Sequence, residues 1–193
     1  MLQPLLDHIS RHVTLSPEDI AYIEQAVTFK KLRKRQFLLQ EGDVSRHESF
    51  VVKGCLRTFE TDEKGQEHII LFAIEDWWVG DLYSFLTGSA SRLNVECLED
   101  CVLAQIGKDA LEELYIKVPR LERFFRKLVQ NAYIAIGQRL LSSMSRTAQE
   151  RYLAFIEKYP DIEQRVSDRH IASFLGIAPE SLSRIRRQHL SKS

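Results

Sequence analysis

Cysteine is scarce: three in 193 residues, with no CxxC pair among them. So sparse and odd a set cannot staple a disulfide framework; it suits free thiols in a reducing cytoplasm. It also falls short of the thiolate grouping that holds an iron–sulfur cluster. Nothing approaches the run of roughly 20 apolar residues that spans a bilayer. The start, Met1-Leu-Gln-Pro, lacks a basic segment followed by an apolar run, so no signal peptide is expected. Net charge is absent as well, 27 Lys/Arg against 27 Asp/Glu. Phosphate-cradling glycine motifs, nucleophile elbows and zinc-protease signatures are all missing, so no enzyme and no catalytic residue is expected. His8 and His12 have the i, i+4 spacing of a helical ligand pair, but Asp7 alone stands near and points elsewhere on the helix. A zinc site needs three or four converging ligands, so neither metal nor cofactor is expected.

What is there is 44% hydrophobic and 28% charged, the balance of an ordinary globular chain with room for one sizeable domain and a small one. A short helix opens it. Ser16-Pro17-Glu18-Asp19 then supplies a hydroxyl cap, a proline at the first helical position and acids in the first turn. Ile20, Ile23 and Val27 form the stripe of the helix that follows. From Phe29 to Ile106 the period shortens. Runs at 37–43, 49–61, 67–74, 93–98 and 101–106 are β-rich, with turns at Gly42-Asp43, Lys53-Gly54 and Asp62–Gly65 between them. Short strands so spaced predict an antiparallel barrel or jelly roll.

Helical spacing returns after Gly107. Lys108–Lys117 is one helix, broken at Val118-Pro119. A second, from about Pro119 to Met144, carries Leu121, Phe124, Phe125, Leu128, Ala132, Ala135, Ile136 and Leu140 on one broad side. At about 1.5 Å per residue it runs nearly 40 Å, more than a small barrel covers. Leu121, Phe125, Leu128, Ala132 and Ala135 are therefore assigned to a dimer seam against a twin helix. Thr147–Tyr159 makes a further helix that ends at Pro160.

The last thirty residues say most. Ile171, Ala172 and Leu175 share a helical face, Gly176 permits a reversal with positive φ, and Pro179 opens a second helix. Leu182 and Ile185 point that helix inward and leave Glu180, Ser181, Ser183, Arg184 and Arg187 outside. This spacing predicts a helix-turn-helix. From Arg165 onward there are six Lys/Arg against two Asp/Glu, which leaves 21 against 25 before it. Positive charge is thus concentrated where phosphate would be met.

A β-roll, a long helix and a helix-turn-helix, in that order, resemble the Crp-Fnr family of bacterial transcription regulators from about Leu15 to His189. Leu38-Leu-Gln-Glu-Gly42-Asp43 and Phe50-Val-Val-Lys-Gly54 resemble the family's glycine turns. Gly80-Asp81-Leu82 looks like the Gly-Glu-Leu that opens its cyclic-nucleotide cassette. Glu180-Ser-Leu-Ser183-Arg184 matches the Glu-x-x-Ser-Arg of recognition helices in the Fnr-like branch. The resemblance implies base contacts from Glu180 and Arg184, and a base or phosphate contact from Ser183. A carboxylate suits cytosine's amino group and an arginine the guanine O6/N7 pair. Ser181, Arg169, Arg186, Arg187 and His189 are candidate further contacts, mainly to phosphate. Three departures stand out. Ala178 lacks a capping hydroxyl, worth roughly 1 kcal/mol; Pro179 sits where some relatives carry arginine; and little chain remains for a wing.

The cassette departs further. Without gaps, Ser91 falls where the family's phosphate-binding arginine belongs, Arg92 falls at the following small hydroxyl position, and the acid Asp81 is one methylene short. The candidate effector residues are therefore Gly80, Asp81, Leu82, Ser91 and Arg92, with cyclic AMP not the expected ligand. Another small molecule, in a cavity lined by Tyr83, Phe85, Trp77 and Trp78, stays open beside no ligand at all. Fnr's N-terminal cysteine cluster has no counterpart before Cys55.

The expectation is an α+β chain: a β-roll effector domain at 1–118, a dimerisation helix at 119–145 and a helix-turn-helix domain at 146–193. It would act in the cytoplasm as a homodimeric regulator on double-stranded palindromic DNA, away from membranes, with RNA polymerase a further partner and its effector unknown. The alternative is a sensory module for cyclic nucleotides or other small molecules, whose C-terminal helices bind protein.

Overall fold

In the computed structural model, which describes residues 1–190, two helices precede the sheets. α1 (Gln3–Ser10) buries Leu5, Leu6 and Ile9 at helical spacing. α2 (Pro17–Ala26) opens on a reciprocal cap. The Ser16 hydroxyl accepts the Asp19 N–H at 3.2 Å, and the Asp19 carboxylate accepts the Ser16 N–H at 2.7 Å.

Eight strands follow among the described residues: β1 (Val27–Leu32), β2 (Phe37–Leu39), β3 (His47–Lys53), β4 (Leu56–Thr61), β5 (Glu67–Ala73), β6 (Trp78–Val79), β7 (Asn94–Cys97) and β8 (Cys101–Gly107). They pair antiparallel in two sheets, ordered β1-β8-β3-β6 and β2-β7-β4-β5. A short helix, α3 (Leu82–Thr87), interrupts the second half. In the first sheet Phe50 pairs with Ala104 and Val51 with Leu103, and the two-residue period sends these pairs to opposite faces. Val51 and Leu103 join Leu39, Leu56 and Val95 inside the roll. Phe50 and Ala104 face outward, under the helices. At the turn into β4, Gly54 has φ +110°, and a Cβ there would stand 2.5 Å from Cys101 Sγ, so only glycine fits.

α4 (Lys108–Lys117) and the start of α5 (Arg120–Ser145) cover the outer face of the first sheet. Leu111, Leu114, Leu121, Phe124 and Phe125 pack there with Ile9, Ile23 and Phe50, each contributing roughly 1.5–3 kcal/mol by its burial. This corrects the seam. Leu121 and Phe125 are buried in the chain's own core and Leu128 is half-buried against it, because the Val118-Pro119 turn tucks the first two turns of α5 under the roll. Ala132 and Ala135 are exposed. So are Val129, Tyr133, Ile136, Leu140 and Met144, the last 78% exposed.

The chain closes with α6 (Ala148–Lys158), α7 (Pro160–Arg165), α8 (Asp168–Leu175) and α9 (Pro179–Leu190). Pro160 ends one helix and starts the next, where the sequence pattern suggested only an end. Tyr152, Phe155, Ile162, Ile171 and Leu182 form one cluster with Phe59, Ile69 and Phe72, on the outer face of the second sheet. The C-terminal helices therefore share a core with the roll. Among the described residues no helix is long and apolar enough to cross a membrane.

Candidate nucleic-acid interface

α8 and α9 meet through Gly176, at φ +63°. Its N–H bonds back to α8, and the Ile177 N–H reaches the Ala172 carbonyl at 3.0 Å, the paired hydrogen bonds of a glycine-terminated helix. The Ser167 hydroxyl caps α8, accepting the His170 N–H. On α9, Leu182 and Ile185 are buried against Ile171 and Ala172, which fixes the roll angle of the helix. Glu180, Ser183, Arg184 and Arg187 are consequently exposed, Ser181 is half-buried, and Arg169 on α8 is exposed. Positions i, i+3 and i+4 put Glu180, Ser183 and Arg184 on one face. Arg186 differs from expectation: its guanidinium is held by Glu163 and Asp168, which ties α9 to α7 and α8 instead of leaving it for phosphate. Half-buried His189 lines a groove with Leu153 and Ile156.

What positions this helix pair is a polar latch onto the second sheet. The Arg57 guanidinium, 8% exposed, meets Glu67 at 2.5 Å and Glu96 at 2.6 Å and lies 4.2 Å over the Phe59 ring. Burial works against its charge, and the bonds from Glu67 and Glu96 outweigh it. His170 of α8 sits 3.2 Å from Arg57. Burial, then the Arg57 charge, lower its pKa, so Nε2 is best assigned as an acceptor. Ser173 completes the open edge of β5, donating to the Glu67 carbonyl at 2.9 Å and accepting the Ile69 N–H at 3.0 Å. Arg165 holds Glu75 and Glu99 on two turns of the roll, both at 2.7 Å. Arg139 of α5 stacks over Phe174 and donates to the Ile70 carbonyl. None of this network was expected from sequence, since its members lie up to 113 residues apart and share no local period.

Of the candidate effector residues, Asp81 and Ser91 come together, on one another. Asp81 caps α3, accepting the Ser84 N–H at 3.2 Å, and its other oxygen accepts the Ser91 hydroxyl at 2.7 Å. Both side chains are buried. Gly80 lies beside the Ser45 hydroxyl and the His47 carbonyl. Leu82 is 41% exposed at the start of α3. Arg92 turns outward to Glu60, its side chain 84% exposed, so it does not enter the cassette. Nearby, a cleft of about 430 Å³ opens at the end of the roll, lined by Lys30, Leu39, Ser45, His47, Ser49 and Gln105. The aromatics proposed for a cavity serve elsewhere: Phe85 and Trp78 pack in the core around Phe50, Trp77 packs on Tyr159, and Tyr83 is exposed. Cys55, Cys97 and Cys101 are buried free thiols, with Cys55 pushed up to about 12 by burial.

Comparisons with known proteins agree with this layout. The family profile described as a cyclic nucleotide-binding domain matches residues 29–117. The chain is 25% identical to the fumarate and nitrate reduction regulatory protein of Vibrio cholerae, over 89% of this chain and 73% of that one. It is 25% identical to the transcriptional activator protein Anr of Pseudomonas protegens, over 90% and 75%. The solved structure of FixK2 from Bradyrhizobium japonicum is similar with a TM-score of 0.75 at 19% identity, over 86% of this chain and 85% of that one.

Proposed function

The chain belongs to the Crp-Fnr family, and from that premise we propose that it is a DNA-binding transcription regulator. It reads an imperfect palindrome as a homodimer, one α9 entering each of two successive major grooves about 34 Å apart. The observation that carries this reading is the common exposure of Glu180, Ser183 and Arg184 on a helix whose other side is locked into the core. Glu180 and Arg184 contact base edges and Ser183 a base or phosphate. Ser181, Arg169 and Arg187 hold the backbone.

The dimer forms along the second half of α5, where Val129, Tyr133, Ile136, Leu140 and Met144 are exposed together. Ala132 and Ala135, small and exposed, allow close approach there. Cyclic AMP is not the signal: Asp81 is engaged by Ser91 and Ser84, and Arg92 is turned outward to Glu60. The units are the roll (1–118), the dimer helix (119–145) and the reading head (146–193). RNA polymerase follows as a partner of a regulator, in the cytoplasm.

The test is selection of bound sites from a pool of random duplex. An enriched palindrome with half-sites about one helical turn apart is expected; a pool that stays random after repeated rounds contradicts the reading.

A further inference from the structure

Five of the six residues from Lys30 to Arg35 are basic, and no Asp or Glu occurs between Gln25 and Gln40. Yet the chain up to residue 164 is acidic overall. The run crosses from β1 into the turn before β2, and Lys30, Lys31, Arg33, Lys34 and Arg35 are all exposed. None of the five is in an ion pair with another described residue. Five like charges so close, with one carboxylate (Asp100) on the turn's backbone, repel one another, a cost that a bound polyanion would lower.

The turn is held rigidly. The Arg35 N–H donates to the Cys97 carbonyl at 2.7 Å, the Cys97 N–H to the Gln36 carbonyl at 2.9 Å, and the Lys34 N–H to Asp100 Oδ1 at 2.8 Å. Arg35 adopts φ +70°, costly for a residue with a side chain. Asp100 also fixes where the turn lies in the molecule. Its neighbour Glu99 takes Arg165, the last residue of α7 and two residues before the cap of α8. One three-residue turn of the roll thus carries the basic tip on one side and the reading head on the other.

We propose that the basic run Lys30–Arg35 is a second DNA contact, binding backbone phosphates of the duplex that flanks the site read by α9. This rests on the DNA-binding reading above and adds a partner surface from the roll. Duplex DNA carries one negative charge per about 1.7 Å of axis, so a rigid basic tip needs no base sequence to bind it. Its contribution is sequence-independent, depends on duplex length and falls with salt.

The experiment compares the full chain with the triple variant Arg33→Gln, Lys34→Gln, Arg35→Asn. The probes are two duplexes carrying a site enriched from random sequence: one of about 22 base pairs trimmed to the palindrome, one with flanks of about 10 base pairs on each side. Wild type should bind the long duplex about tenfold or more tightly than the short one, with a steeper dependence on salt. The variant should match wild type on the short duplex and lose the gain on the long one. The log–log salt slope should fall by up to about 5, from three charges in each of two protomers at about 0.9 per phosphate. Undiminished long-duplex affinity and slope in the variant overturn the proposal. So does an equal loss on both duplexes. Intact binding to both with lost promoter activation overturns it too, and assigns the turn to an acidic protein partner. A random pool from which wild type enriches no site removes the DNA-binding reading, and this one with it.

Discussion

Replacing Glu48 by glutamine should stabilise the protein at pH 8 and leave it nearly unchanged at pH 4.5. Glu48 lies half-buried on β3, on the face of Phe50 and opposite Ile106. Burial, reinforced by the charge of Asp81, raises its carboxyl from 4.5 to about 7. The folded protein therefore keeps the proton across a range in which the unfolded chain has released it. A raised carboxyl gives stability that is full below about pH 4.5, declines as pH rises and is gone above about pH 7. From 4.5 to about 7, at about 1.36 kcal/mol per pH step, the loss comes to roughly 3 kcal/mol. Glutamine keeps the shape without the ionisation, so at pH 8 the variant should recover much of that figure. For a chain of this length that is a rise in Tm of about 6–12 °C. Thermal melts of both proteins at pH 4.5 and pH 8, at one ionic strength, read it directly. An equal gain at both pH values would mean that packing, not ionisation, is responsible. A loss at pH 8 would refute the reasoning outright.

Arg57→Met should cost roughly 3 kcal/mol or more, because it leaves Glu67 and Glu96 facing each other without a counter-ion. Adding Glu96→Gln should restore part of the melting temperature, and no restoration would show that the loss was one of packing. Ile136→Glu with Leu140→Glu should turn a dimer into a monomer in sedimentation at micromolar concentration; wild type sedimenting only as monomer would contradict the α5 seam. Calorimetric titration with cyclic AMP should give no heat of binding, since a nucleotide would first have to break the Ser91–Asp81 bond. Strong binding would overturn that account of the cassette.

Local chemistry was legible before the coordinates. The Ser16–Asp19 cap, Lys108–Lys117, the Gly176 reversal and the inward Leu182 and Ile185 are each set by contacts within a few residues, so their period or turn chemistry announces them. The exposed face of α9 follows from the same spacing. What the pattern could not divide was the long stripe of α5. Leu121 and Leu140 look alike in periodicity, and only the path of the chain through Val118-Pro119 decides that the first is buried under the roll and the second exposed. β1 and α3 were missed for a related reason. β1 is an edge strand with five of its six residues outside the core, so no alternation shows. α3 is only six residues long and takes its start from one Asp81 cap. The latch was invisible because Arg57, Glu67, Glu96 and His170 become neighbours only when α8 docks on β5. The Ser91–Asp81 bond explains in part why the cassette sequence departs: a serine that caps the acid stands where the resemblance called for an arginine.

The measurement that bears most directly on the central claim is the affinity of wild type and Arg184→Ala for the enriched site and for random duplex at one salt concentration. A loss of about 1–3 kcal/mol, roughly 5- to 150-fold, is predicted on the enriched site, with one base pair of preference relaxed and little change on random duplex. Equal losses on both, or none on either, would mean that Arg184 reads no base.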